Sequence, residues 1–283
     1  MKYTVLGATG FIGSHVAALA RSLGHEVVCP GRDDNLDGQH LGHAIYSIGI
    51  TADFRRRPHD TVTAHVTKFQ EVLTRTSFDS LVYLSSTRVY ARCANSEEGS
   101  DTWPGISEET AIPVLPTDFS DLYNLSKLMG ESIALASSAR VKVARLSNVI
   151  GADFDSDNFI LSVIRDCIRK GHVELKTSLD SAKDYVSVDD VAALLLQLGP
   201  AGNHSVYNVA SGVNTTHGEI TRELTQLTGA TVSVADASPT ITFPRIDISR
   251  ATNELNFTPQ RLERLLPALV AGLRTHLQSQ TPT

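Results

Sequence analysis

Residues 2–13 read KYTVLGATGFIG. Lys2 to Leu6 is a short β-prone run, and Phe11 to Leu23 repeats apolar residues at helical spacing. Gly7, Gly10 and Gly13 fall at their junction. In a strand–turn–helix unit, Gly7 makes the tight turn and Gly10 lets backbone approach a diphosphate. Gly13 lets the helix pack on the strand. The helix N-terminus adds N–H donors and a positive dipole. A glycine-rich turn alone is also an ordinary loop; its place directly after the first strand makes it a dinucleotide fingerprint.

Working outward, Glu26 to Cys29, Ala44 to Ile48, Leu81 to Ser85 and Val141 to Leu146 read as further strands. Asp60 to Arg75 reads as a helix, with Val62, Val66, Phe69 and Leu73 on one face, and so does Asp121 to Ser137. Strands alternating with helices predict an α/β fold with a doubly wound parallel sheet. The segment PGRDDNLDGQHLGH, residues 30–43, is too short for the helix–strand–helix excursion that such a sheet places there. One βα unit is therefore expected to be missing after the second strand. Beyond Gly151 the rhythm changes to longer helices, Asn158 to Lys170, Asp189 to Leu198, Thr216 to Leu227 and Gln260 to Gln278, with brief strands such as Val206 to Val209. We expect residues 1–150 to form the dinucleotide-binding domain. Residues 151–283 should form a smaller lobe for the substrate, sharing one core with the first.

The 283 residues carry 25 basic and 31 acidic side chains, a net charge of -6. No basic excess is available to neutralise a nucleic-acid backbone, though a local cation cluster for a small anion remains open. Mean hydropathy is -0.06, and no apolar run approaches the ~20 residues of a membrane span. The opening MKYTVLGATG turns glycine-rich at once, without a signal-type apolar run, so a cytoplasmic protein is expected. Cys29, Cys93 and Cys167 are scattered and odd in number. They suggest free thiols in a reducing compartment and give neither a disulfide frame nor a metal site.

Two further stretches carry chemistry. Tyr123 and Lys127 stand four apart on the Asp121 to Ser137 helix, on one face. An ammonium near a phenol favours phenolate and lowers the phenol pKa, so such a tyrosine can exchange a proton with an alcohol oxygen. Alone, a surface tyrosine beside a solvated lysine is the plainer reading. LSSTRVY, residues 84–90, ends a strand on the sheet edge where ligands of open α/β sheets bind. Its hydroxyls can bond a reacting oxygen or simply end the strand in a turn.

Taken in order, GATGFIG (7–13), YLSSTRVY (83–90), YNLSKLMGE (123–131), RLSNVIG (145–151), KDYVSVDDV (183–191), YNVASG (207–212) and DISR (247–250) resemble the extended short-chain dehydrogenase/reductase family. Its members are NAD(P)-dependent nucleotide-sugar epimerases, dehydratases and reductases with a Rossmann-like domain. The resemblance covers nearly the whole chain. It implies an enzyme with Tyr123 as acid/base, Lys127 lowering its pKa and bonding the nicotinamide ribose, and Ser86 orienting the reacting oxygen. It implies cofactor contacts from Gly7, Thr9, Gly10, Phe11, Ile12 and Gly13, and substrate contacts from Ser86, Thr87 and Asn148. The implied partner is a nucleotide sugar, with 4-keto reduction or 4-epimerisation as the chemistry. A homodimer is open, because Leu125, Leu128, Ile133 and Leu135 can meet either a second copy or the chain's own core. The alternative from another class is a cofactor-binding sensor of the same fold without turnover.

The departures from the pattern are informative. Where NAD-using members carry an acid at the end of the second strand, this chain has Gly31 followed by Arg32. A guanidinium suits a 2′-phosphate, so NADP(H) is favoured; NAD(H) binds instead if Asp33 or Asp34 reaches back. Thr87 and Arg88 replace the acidic pair of 4,6-dehydratases, which disfavours dehydration. His65 replaces an asparagine that supports the lysine, and reads equally as a relay or as a buried structural histidine. Arg55, in the run Arg55 to Arg57, is a candidate for the substrate diphosphate, against a solvated charge run. Trp103 lies in a long segment that either covers the site or packs.

Overall fold

The computed structural model describes residues 1–51, 53–93 and 105–280; Trp103 lies outside them. β1 (Lys2–Leu6) leads through the Gly7 turn into α1 (Phe11–Ser22). β2 (Glu26–Val28) and β3 (His43–Tyr46) flank β1 as parallel neighbours. A helical stretch follows in three pieces: α2 (Pro58–Val62), a π-helical turn (Thr63–Thr67) and α3 (Lys68–Arg75). Pro58 opens it, where a missing N–H costs no helical bond. Then come β4 (Ser80–Ser86), a 3-10 turn (Thr87–Tyr90), α4 (Asp121–Ser137) and β5 (Val141–Leu146). β4 and β5 are buried along almost their whole length, as strands covered by helices on both faces must be.

The remaining chain runs through β6 (Asn148–Ile150), α5 (Phe159–Lys170), β7 (His172–Leu175), β8 (Ala182–Ser187), α6 (Val188–Ala201) and β9 (Val206–Val209). It ends with β10 (Asn214–Thr216), α7 (His217–Thr228), β11 (Thr231–Val234), α8 (Ser249–Leu255) and α9 (Leu262–Ser279). Caps set several of these ends. Asn158 accepts from the Leu161 amide at 3.0 Å, and Gly171 closes α5 at φ +62. Thr216 and Glu219 form a reciprocal capping box on α7.

The main sheet is parallel, in the order β2-β1-β3-β4-β5-β9. β2 is its edge, and residues 29–42 cross to β3 without a helix or strand between them. The sheet is thus one βα unit short, as the spacing predicts. β9 and α6 come from beyond residue 150 yet belong to this layer. β9 pairs with β5, and Leu194, Leu195 and Leu198 of α6 share one buried cluster with Val16, Ala17 and Ala20 of α1. A second cluster, containing Ile164, Leu224 and Leu266, joins α5, α7 and α9.

Because the strands are parallel, the chain segments leaving β1, β3, β4 and β5 meet on one edge. That edge carries Gly7, Ser47 to Thr51, Ser86 and Asn148. On α4, Ile133 and Leu128 pack into the chain's own clusters, while Met129 and Leu135 stay exposed. All three cysteines are free thiols. Among the described residues, no helix is long and apolar enough to cross a membrane.

Candidate active site

The site begins at the β1–α1 turn. Gly7 has φ +90, a conformation that side chains rarely adopt. A Cβ on Gly13 would lie 2.3 Å from the Gly7 carbonyl oxygen and 2.6 Å from Ser47 Oγ, so helix and turn can approach only with glycine there. Gly10 is the N-cap of α1, and no side chain caps the helix. The first-turn amides of Phe11, Ile12 and Gly13 therefore lack helical acceptors and point outward with the positive end of the dipole. A dinucleotide diphosphate fits this chemistry. Arg32 is exposed just beyond β2. The Asp34 carboxylate accepts from the Gly31 amide at 2.8 Å and so folds back on its own turn.

Tyr123, Asn124, Ser126, Lys127, Gly130 and Glu131 form the buried face of α4 against β4. Gly130 allows this approach, because a Cβ there would fall 2.2 Å from the Tyr83 hydroxyl. The Tyr123 phenol is buried, with the Ser86 and Thr51 hydroxyls in hydrogen-bonding reach. Burial raises its pKa above the ordinary 10; Ser86, Thr51 and the Arg88 charge oppose the rise. This differs from the sequence expectation, in which Lys127 lowers the phenol. The Lys127 ammonium instead donates to the Leu84 carbonyl at 2.8 Å and stands 6.0 Å from the centre of the Tyr123 ring. Burial brings Lys127 itself from 10.5 down to about 7, with Glu131 opposing. A group poised there can take or give a proton at neutral pH.

Ser86 ends β4, and its Oγ accepts from the Arg88 amide at 3.2 Å, which starts the 3-10 turn. Thr87 is the first residue of that turn and half-buried. His65 is fully buried in the π-helical turn, a feature often found at functional sites. Its Nε2 accepts from the Ile50 amide at 3.3 Å, so the Nδ1–H donates to Ser126 Oγ at 2.8 Å. Burial, with Lys127 nearby, lowers its pKa to about 2 and keeps it neutral. Both ring nitrogens are thus engaged within the protein, and the ring stands edge-on to Tyr123 at 5.4 Å.

A buried polar network braces this arrangement from below. Glu131 accepts from Ser85 Oγ and pairs with Arg145, with Nη2 to Oε2 at 2.6 Å. Arg145 also donates to the Tyr90 hydroxyl at 2.6 Å, and Tyr90 donates to Asn208 at 2.9 Å. The network ties α4, β4, β5 and β9 together one turn beyond Lys127. Glu131→Ala would strand the Arg145 charge, and a loss of about 3–5 kcal/mol in urea unfolding is expected.

The other candidates scatter. Arg55 is exposed, with its guanidinium 4.5 Å from the centre of the Phe54 ring. Asn148 is exposed and donates from Nδ2 to the Asp184 carbonyl at 2.7 Å. Three residues at the site escaped the sequence reading. Thr51 faces the Tyr123 hydroxyl, Phe54 packs 5.4 Å from the Tyr123 ring, and Arg88 stands over both rings. The signal for Thr51 was its place just past a parallel strand's carboxyl end. Arg88 was marked in the sequence only as the replacement of an acidic residue beside Ser86, and Phe54 had no signal beyond the tertiary packing itself.

The model of a family described as the NAD dependent epimerase/dehydratase family matches residues 3–63 and 40–210. The chain belongs to this family. No curated protein sequence matches the chain. Among solved structures, MoeE5 in complex with UDP-glucose and NAD is 23% identical over 98% of this chain and 100% of that one, with a TM-score of 0.80. RMD from Pseudomonas aeruginosa complexed with NADPH is 22% identical, with the same coverages and a TM-score of 0.80. UDP-glucose 4-epimerase from Thermotoga maritima with UDP-glucose is 19% identical over 98% and 100%, with a TM-score of 0.75. At these identities the likeness is one of fold, and the epimerase/dehydratase architecture extends over essentially the whole chain.

Proposed function

We propose that this protein exchanges hydride at a carbon of a nucleotide-activated sugar, in a 4-keto reduction or a 4-epimerisation. The observation that carries this reading is the buried Tyr123 phenol facing the Ser86 hydroxyl, with Lys127 one helical turn on, beside the glycine turn. When bound, the nicotinamide dinucleotide supplies or accepts the hydride. Gly7, Thr9, Gly10, Phe11, Ile12 and Gly13 hold its diphosphate end, and Tyr123 and Lys127 its ribose end. Tyr123 gives a proton to, or takes one from, the sugar oxygen. Ser86 orients that oxygen, and Thr51 shares the phenol. Lys127 replenishes the proton and is titratable near neutrality. Phe54 keeps water from the phenol's face. Thr87, Asn148 and Arg55 contact the substrate, with Arg55 directed to its diphosphate. Residues 1–150 form the cofactor half, and residues 151–283 mainly the substrate half. The exposed Met129 and Leu135 of α4 offer a face for a second copy. The free thiols fit a reducing compartment such as the cytoplasm.

One assay separates the two chemistries. Stoichiometric loss of NADPH on adding a 4-keto nucleotide sugar supports reduction, whereas exchange of 4-epimers without net cofactor change supports epimerisation. No turnover of either kind, with cofactor still bound, overturns both and leaves the sensor reading. For the cofactor we propose NADP(H), resting on Arg32 beyond β2 and on Asp34 being turned onto the Gly31 amide. Arg32→Ala is expected to weaken NADPH binding about tenfold, as loss of a charged hydrogen bond does, and to leave NADH unchanged. Calorimetric titration of both cofactors checks it, and equal losses for the two reject the assignment.

A further inference from the structure

Arg88 is an anomaly among the inward-facing arginines. Arg145 meets Glu131, Arg250 meets Glu109, and Arg165 meets the Phe154 and Ser156 carbonyls. Arg88 leans on two rings, with its guanidinium carbon 5.5 Å from the centre of Phe54 and 6.0 Å from that of Tyr123. Its Nε is shut off from solvent and has no acceptor. The nearest acids are committed elsewhere. Asp121 is held by Arg92 at 2.6 Å and by the Leu115 amide and the Asn124 side chain. Asp118 is held by Arg92 and Ser120. Arg55, packed on the same Phe54 ring, adds a positive charge that opposes that of Arg88, and Lys183 feels the Arg88 charge as well. Among the described residues no carboxylate pairs with this half-buried guanidinium, and a partly desolvated charge without a direct partner is costly. The geometry is that of an oxyanion site completed by a ligand, and a planar fork suits a carboxylate bidentately.

We propose that Arg88 binds a carboxylate on the sugar carbon next to the one that reacts, so that the substrate is a nucleotide-linked hexuronate. The inference rests on the nucleotide-sugar reading above. The position selects the carboxylate over the other oxyanion of such a substrate. Arg88 stands over the ring of the residue assigned to the reacting oxygen. A hexuronate carries its carboxylate on the adjacent carbon, whereas the diphosphate leaves from the far side of the sugar ring. Arg55, exposed on Phe54, remains available for the diphosphate.

The test titrates cofactor-loaded enzyme with UDP-glucuronic acid, UDP-glucose and UDP, using wild type, Arg88→Gln and Arg88→Lys. Wild type is expected to bind the uronate at least tenfold more tightly than UDP-glucose. Arg88→Gln should erase that preference and keep UDP affinity within about threefold, the change expected from the loss of a distant charge. Arg88→Lys, which restores a charge without the fork, should recover part of the preference. The proposal is overturned if wild type binds the two sugars equally. It is also overturned if Arg88→Gln weakens UDP as much as UDP-glucuronic acid, which moves the guanidinium to the diphosphate. If none of the three binds, UDP included, the enzyme does not take a uridine nucleotide, and the failure lies with the nucleotide and not with the arginine. Free glucuronate then tests the arginine separately, by thermal shift against glucose. Stabilisation of wild type that Arg88→Gln lacks upholds the carboxylate site, and no stabilisation rejects it.

Discussion

Tyr123→Phe is expected to lower turnover by about a thousandfold, within the range that a positioned acid/base group contributes. The phenol is buried against Phe54 and His65, so the phenylalanine ring keeps the packing and removes only the hydroxyl. Affinity for cofactor and nucleotide sugar should stay within a few-fold, and the folded state should lose no more than about 1 kcal/mol, one ordinary hydrogen bond. Steady-state kinetics alongside calorimetric binding checks the split between turnover and affinity. Retained turnover would remove Tyr123 from the mechanism. The pH profile is informative too. Burial holds the phenol above its ordinary value, so it serves as the proton donor over the neutral range. Activity in the reduction direction should fall as pH rises through about 7, where Lys127, which replenishes the phenol, loses its proton.

Lys127→Met should abolish turnover and at the same time stabilise the protein at neutral pH. Lys127 falls from 10.5 to about 7 on burial. Between those values the unfolded chain binds a proton that the folded chain does not, so folding is progressively handicapped as pH falls, and fully so below 7. A shift of that size corresponds to about 4–5 kcal/mol. The substitution also leaves the Leu84 carbonyl without its donor, at a cost of about 1–3 kcal/mol. A net gain of about 2 kcal/mol is expected at and below pH 7, turning into a net loss of about 1–3 kcal/mol above pH 10.5, where the native lysine is neutral in both states and only the lost hydrogen bond counts. Denaturant midpoints of both proteins across pH 6–10 test it. A substitution that destabilises equally at every pH would mean that Lys127 is held charged without penalty. Such an exchange of stability for activity is what a functional, desolvated lysine implies.

The fold was largely legible in the chain. Lys2 to Leu6, Asp121 to Ser137 and Val141 to Leu146 are found with the bounds that their patterns predict. The truncated sheet was legible from loop length alone, since residues 29–42 cannot hold a helix, a strand and a second helix. The strands β6, β7, β8, β10 and β11 were not marked out by their own pattern. Pairing with a neighbour, rather than local propensity, makes them strands.

The site divides in the same way. Gly7, Gly10, Gly13, Ser86, Tyr123 and Lys127 announce themselves because each sits in a motif whose spacing reflects local geometry: a turn, a strand end, one helical turn. Their convergence on one sheet edge is the work of parallel pairing among β1, β3, β4 and β5. The electrostatics could not be read from the chain. Spacing put an ammonium near a phenol and suggested that the phenol titrates low. The tertiary structure instead aims Lys127 at the Leu84 carbonyl and buries both groups, raising one pKa and lowering the other. Arg88 is the clearest case. Its neighbours Phe54 and Tyr123 come from distant segments, so its want of a paired carboxylate among the described residues exists only in three dimensions. The sequence by itself determined the sheet, its missing unit and the candidate hydroxyls, because these follow from local periodicity and spacing. Which charges lie bare beside those hydroxyls was decided by the tertiary structure alone, because desolvation and Coulomb interactions depend on distance through space and not along the chain.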